Sequence, residues 1–244
     1  MNYKKYIILL LIPISLISCH SIKVNHATMH TASTTPMALG VIGMQHNKMM
    51  HSDFKETAIP TYKEAIRVGV NTTTFNLDAY KAYTQHSKNN KQGVTYVDSL
   101  KTKPSFLQLK ITDRVTLLSE LKKEENQATL AYLKNQENAR MVTGVSIALP
   151  ESLIIEISNA EAVFLINEKY KQYQLSLVRD GKSYKTIDFS SATVFGYRLS
   201  HFCWGISGKR KVVLLDIIDE KASCPTNTYK NAEKAKEKMD YFKL

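Results

Sequence analysis

The sequence has few of the residues and runs that mark specialised classes of protein. Its 244 residues include only 9 Gly and 6 Pro, which excludes a collagen-like or linker composition. No apolar run reaches the roughly 18 to 20 residues that a membrane-spanning helix needs, which excludes a multi-pass membrane protein. Because 43% of the residues are hydrophobic, the chain can form a core and is not disordered throughout. We therefore expect one globular domain.

Cysteine is also scarce, and the first of the three cysteines follows an apolar N-terminal run. The chain begins MNYKKYIILLLIPISLISC, in which Lys4 and Lys5 precede the apolar residues 6–18. This order of charge and apolar run is typical of a secretory signal. An ordinary cleaved signal and an uncleaved anchor are both compatible with this pattern.

The end of that run resembles a known motif. Leu16-Ile17-Ser18-Cys19 is similar to the lipobox of bacterial lipoproteins. The resemblance implies that residues 1–18 are a signal peptide, cleaved before Cys19, whose thiol carries diacylglycerol. The lipid bilayer is then the expected partner, and two or three acyl chains are enough for stable anchoring. We expect an exported protein on the periplasmic side of the membrane rather than on the cell surface. The remaining residues resemble uncharacterised envelope lipoproteins, which implies no activity.

The other two cysteines are Cys203 and Cys224. In an oxidising compartment the sequence predicts that they form a disulfide closing a loop of about 20 residues. Two buried free thiols are a second possibility, since a sequence does not show whether two cysteines meet. A third is a catalytic Cys203 assisted by His201, because i and i+2 side chains share one face of a strand.

Residues 19–60 are predicted to be an acylated, mobile tether, because they begin with a polar stretch that has neither helical nor strand periodicity. This segment is unusually rich in His and Met, whose imidazole and thioether groups suit copper or silver ions. The simpler interpretation is a polar tether that binds no ligand, in a protein without a cofactor. The alternative is that this segment binds a copper or silver ion. The candidate ligands are His26, Met29, His30, Met44, His46, Met49, Met50 and His51.

Residues 61–244 are predicted to form a single α+β domain. Alternating apolar residues indicate strands at 105–112 and 141–149, and a helix is expected over 115–135 with a candidate break at 124–126. Five further strands are expected at the end of the chain, and their short connections predict an antiparallel β-meander with flanking helices. They cover residues 163–166, 173–178, 184–189, 193–204 and 211–218. Helices are expected at 151–159 and 231–242.

Acidic residues are outnumbered, with 22 Asp and Glu against 33 Lys and Arg. Removal of residues 1–18 deletes two lysines and no acid, so the formal net charge falls from +11 to +9. In an envelope compartment this charge favours anionic lipid or another acidic envelope component as partner, or simply a solvated surface. We expect no nucleic acid partner.

Sequence signatures of catalysis are missing. The chain contains no HExxH, GxSxG or GxGxxG motif. We therefore expect a non-enzymatic binding or structural role in the envelope. The alternatives are a periplasmic lipoprotein that binds copper or silver through its His and Met residues, and an enzyme without a recognisable motif.

Overall fold

Antiparallel strands make up most of the structure, a computed structural model that describes residues 21–24, 27–31, 37–47, 52–87, 93–169, 171–208 and 210–240. Twelve strands lie within these residues, and they form one sheet in which every pairing is antiparallel. They are β1 (Ser21–Val24), β2 (Ala27–Thr31), β3 (Ile42–Asn47), β4 (Ser52–Ala58), β5 (Ile66–Thr74), β6 (Ser105–Ile111), β7 (Ala139–Ala148), β8 (Ala162–Lys169), β9 (Gln172–Arg179), β10 (Lys182–Asp188), β11 (Thr193–Ile206) and β12 (Val212–Asp219).

Five helices accompany the sheet in the described residues: α1 (Leu77–His86), α2 (Arg114–Lys122), α3 (Gln127–Lys134), α4 (Glu151–Ser158) and α5 (Ala232–Asp240). The α+β class predicted from the sequence is therefore confirmed, although strands predominate. The predicted break between α2 and α3 is present as a short 3-10 turn. Asn126 holds this turn in place, because its side-chain amide donates to the backbone carbonyls of Thr61 at 2.7 Å and Glu120 at 3.0 Å.

The order of the strands corrects the predicted continuous meander. β8, β9 and β10 are consecutive neighbours, and β11 pairs with β12. Between these two groups the chain crosses the sheet, because β11 pairs with β7 and β2 instead of β10. The long β11 carries enough buried residues to pack in the middle of the sheet, so it lies between strands from distant parts of the chain.

The predicted tether is also corrected by the structure. Its residues 37–47 and 52–60 are part of the domain, with Leu39, Ile42 and Phe54 at most 2% exposed. β3 pairs with β4 and with β7, and β2 pairs with β11. In β4 the polar residues Asp53, Lys55 and Thr57 form the exposed face of a strand whose other face carries the buried Phe54. The domain boundary therefore lies before residue 61. The predicted signal peptide and Cys19 lie outside the described residues.

The buried side chains form two clusters. The larger holds most of the aliphatic residues of the sheet. The smaller is aromatic and lies where α1 packs on β11, with Phe75 contacting Tyr83, Phe106 and Phe195 at ring-centroid distances of 4.8 to 5.7 Å. Among the described residues, no helix is both long enough and apolar enough to cross a membrane.

Candidate functional site

The predicted metal ligands that the structure describes do not converge. Met29 and His30 are successive residues of β2 and therefore point to opposite faces of the sheet. The Met29 side chain is buried, with its Sδ accepting a hydrogen bond from the Ser146 hydroxyl at 3.0 Å. Met44 is partly buried against the larger core cluster, whereas His46 is exposed.

The other predicted ligands, His26, Met49, Met50 and His51, lie outside the described residues. Within the described part of the chain, no group of three or more His, Cys, Asp or Glu side chains is arranged to hold a metal ion. The described segments therefore give the copper or silver interpretation no assembled site.

A polar cluster surrounds Glu220, which directly follows β12. Its Oε2 lies 2.6 Å from Nε2 of His30, and its Oε1 accepts a hydrogen bond from the Gln45 amide at 2.6 Å. The backbone carbonyl of Glu220 lies 2.9 Å from Nε2 of His201. The ring of Tyr197 stacks on His30 at a centroid distance of 5.4 Å. Residues from β2, β3, β11 and the end of β12 thus meet at one carboxylate.

Charge and burial shift the titration of this cluster. The hydrogen bond from His30, helped by the one from Gln45, lowers the pKa of Glu220 to about 2 despite partial burial. Burial lowers the pKa of His201 to about 4, and the neighbouring positive charges of Arg140 and Lys230 act in the same direction. At neutral pH, Glu220 is therefore an anion and His201 a neutral ring.

His30 and Glu220 are arranged like the histidine and the carboxylate of a hydrolytic triad. A triad also needs a nucleophile on the histidine. The sulfur of Cys203 is in a disulfide, and the hydroxyls of Ser200 and Thr143 bond each other at 2.6 Å. The Cys203 sulfur is therefore not a nucleophile for His30. The geometry supports a structural role, in which the Glu220 side chain connects β2 and β3 to the end of β12.

The predicted disulfide between Cys203 and Cys224 is confirmed. Their Cα atoms are 5.7 Å apart, and the bond joins β11 to the segment that follows β12. The interpretation of Cys203 as a catalytic thiol assisted by His201 is therefore wrong, because the sulfur is already bonded. Nε2 of His201 contacts the carbonyl of Glu220 instead.

A cavity of about 580 Å³ lies where the β3–β4 hairpin meets the β9–β11 region. Most of its wall is apolar, and the apolar residues include Met37, Val41, Ile59, Phe189, Ala192 and Val194. This volume is within the range of cavities that bind small molecules. The cavity is therefore a candidate ligand site.

A few polar groups interrupt the apolar wall. Glu56 of β4 is half-buried, and burial raises the pKa of its carboxyl. Tyr173 donates its hydroxyl to the carbonyl of Pro60 at 2.7 Å, and its ring stacks on Tyr62 at 5.3 Å. At the turn before β9, Lys171 donates its ammonium to the carbonyl of Ile59 at 2.6 Å. Burial raises the pKa of the Tyr173 phenol, and the neighbouring Tyr62 and the Glu56 carboxylate act in the same direction.

Sequence reasoning missed both Glu220 and Glu56. Glu220 is 190 residues from His30 along the chain, and no local motif relates them. Glu56 lies in the segment predicted to be a tether, so no cavity was expected beside it. The one signal that could have found it is the alternation of Phe54 and Glu56 with exposed Asp53, Lys55 and Thr57 within β4.

Comparison with known proteins gives this chain no relative to borrow a function from, since no family model, curated protein or solved structure matches it. Its function must therefore be argued from its own residues. Four of its features bear on function: the N-terminal motif, the Glu220 cluster, the disulfide and the cavity beside Glu56.

Proposed function

We propose that this chain is an exported lipoprotein, anchored in the membrane through an acylated Cys19, with a non-enzymatic binding role in the cell envelope. The cavity beside Glu56 is the observation that carries the binding role. It has the size and the largely apolar wall of a small-molecule site, with a few polar groups that fix orientation.

Two features support the proposed location. The Leu16-Ile17-Ser18-Cys19 motif at the end of an apolar run supports export and acylation. The Cys203–Cys224 disulfide is typical of proteins in oxidising compartments outside the cytosol. The formal net charge of +9 after removal of residues 1–18 favours contact with anionic lipid head groups or another acidic envelope component.

Metabolic labelling with radioactive palmitate tests the anchor. The wild-type chain is expected to incorporate label and to fractionate with membranes, and Cys19→Ala is expected to lose both. Cys224→Ala is the matched control, because it removes a different cysteine and leaves the motif intact. A Cys19→Ala chain that still carries label and remains in the membrane fraction would refute the proposed anchor.

A further inference from the structure

The polar groups of the cavity beside Glu56 are distributed in a way that suggests the charge of its ligand. The wall contains two carboxylates, Glu56 and Asp188, and one ammonium, Lys171. The Lys171 ammonium is bonded to the carbonyl of Ile59 and does not neutralise Glu56, whose titration is shifted by burial alone. No described side chain forms an ion pair or hydrogen bond with the Glu56 carboxylate.

A half-buried carboxylate without a partner is costly, because the apolar wall replaces part of its water. A cationic group in the cavity would remove that cost and form a charge-assisted hydrogen bond. Asp188 also lines the cavity, and its Oδ1 accepts a hydrogen bond from the Gln174 amide at 2.6 Å. The Glu56 carboxylate therefore favours a positively charged ligand over a neutral or negative one.

The aromatic residues of the wall point to the same ligand chemistry. Tyr173 and Phe189 both line the cavity. The faces of aromatic rings attract ammonium groups, and the attraction is stronger where water is excluded. The Tyr173 ring is 5% exposed and has one face against Tyr62, so the less buried Phe189 is the aromatic residue better placed to meet an ammonium group. The remaining surface is aliphatic and suits a hydrocarbon body.

We propose that the cavity binds an organic ammonium ligand, with its charged end at Glu56 and its apolar body against Met37, Val41 and Val194. This inference rests on the proposed binding role and adds the chemical class of the ligand. It does not depend on acylation of Cys19. Glu56, which would accept the ammonium, and the apolar residues that would contact the body belong to different segments of the chain. Each part of the site can therefore be mutated without changing the other.

Isothermal titration calorimetry with three ligands of one carbon skeleton tests the proposal: 4-phenylbutylamine, 4-phenylbutanol and 4-phenylbutyrate. The full chain is titrated in phosphatidylcholine nanodiscs, with empty nanodiscs as the blank for partition into lipid. The amine is expected to bind at least about tenfold more tightly than the alcohol or the acid, the preference that one charge-assisted hydrogen bond provides.

Three variants locate the binding. Glu56→Gln keeps the shape of the side chain and is expected to abolish the preference for the amine. Glu237→Gln makes the same change on the exposed face of α5 and is expected to leave all three affinities unchanged. Ser190→Trp, at an exposed position of the cavity wall, is expected to weaken all three ligands by filling space. A thermal melt of each variant checks that it is folded.

The results distinguish the preference for an ammonium group from the binding role of the cavity. Equal binding of all three ligands that Ser190→Trp weakens would overturn the ammonium preference and leave the binding role in place. An amine preference that survives Glu56→Gln would likewise overturn the assignment of Glu56. If none of the three ligands binds saturably, both the ammonium proposal and the binding role of the cavity are refuted.

Discussion

Replacement of His201 by glutamine is expected to make the domain less sensitive to mild acid. His201 is only 8% exposed, and its Nε2 contacts the carbonyl of Glu220. Burial, together with the charges of Arg140 and Lys230, lowers the pKa of His201 from 6.5 to about 4 in the folded state. Between these two pH values the unfolded chain binds a proton that the folded chain does not, so acid favours unfolding.

The size of the effect follows from the two pKa values. Each pH unit between them corresponds to about 1.4 kcal/mol, so full protonation linkage amounts to about 3 kcal/mol. This contribution to the free energy of unfolding is fully present above pH 6.5 and is lost as the pH falls to about 4. Glutamine cannot titrate, and its amide can still donate to the carbonyl of Glu220. The variant should therefore lack this contribution to the pH dependence.

Urea denaturation at several pH values between 7 and 4 measures the effect. The wild-type chain should lose about 3 kcal/mol more than His201→Gln over that range. His46→Gln, the same change at an exposed position of β3, should behave like the wild type. If the wild type and His201→Gln lose stability in parallel, then His201 is not held neutral by burial and the reasoning is wrong.

Three further changes test the fold and the Glu220 cluster. Replacing both Cys203 and Cys224 with Ala should lower the free energy of unfolding by about 3 kcal/mol, as the 21-residue separation implies. Reduction of the wild type should have the same effect on urea denaturation. Equal urea midpoints with and without reductant would contradict this. Phe54→Ala should cost about 3 to 5 kcal/mol in the same assay, because the ring is 2% exposed, whereas a tether residue would cost almost nothing. Glu220→Gln should cost about 2 kcal/mol at pH 7, because the amide replaces one of the two carboxylate oxygens by an NH2 group that cannot accept a hydrogen bond. Glu237→Gln should stay within about 0.5 kcal/mol of the wild type, and equal losses in the two variants would count against the cluster.

The sequence predicts the elements whose signals are local. The strand expected over 105–112 is β6, Ser105–Ile111, because apolar residues alternate there without interruption. The helix expected over 151–159 is α4, Glu151–Ser158, which Pro150 begins. The Asp180-Gly181 dipeptide is a local signal for a tight turn; it joins β9 to β10, and both residues have a positive φ, 52° and 69°.

Elements that depend on distant partners could not be predicted in this way. β3 is half polar, and its pairing with β7 joins residues about a hundred positions apart, so nothing local marks it as part of the sheet. The crossing from β10 to β11 has the same cause, since short connections favour neighbouring strands but do not require them. The Glu220 cluster depends on the pairing of β2 with β11, which joins distant parts of the chain, so no local pattern in the sequence predicts it.

The position of β1 bears on how close the domain would lie to a membrane. β1 begins at Ser21, so only one residue separates it from Cys19. Because each residue adds at most about 3.6 Å to an extended chain, two residues leave little length between the proposed anchor and the sheet. With the proposed acyl chains on Cys19, the domain would therefore rest against the lipid head groups instead of hanging from a long tether. Because β1 pairs with β2 and β2 with β11, the anchor would be continuous with the strand that also carries His201 and Cys203.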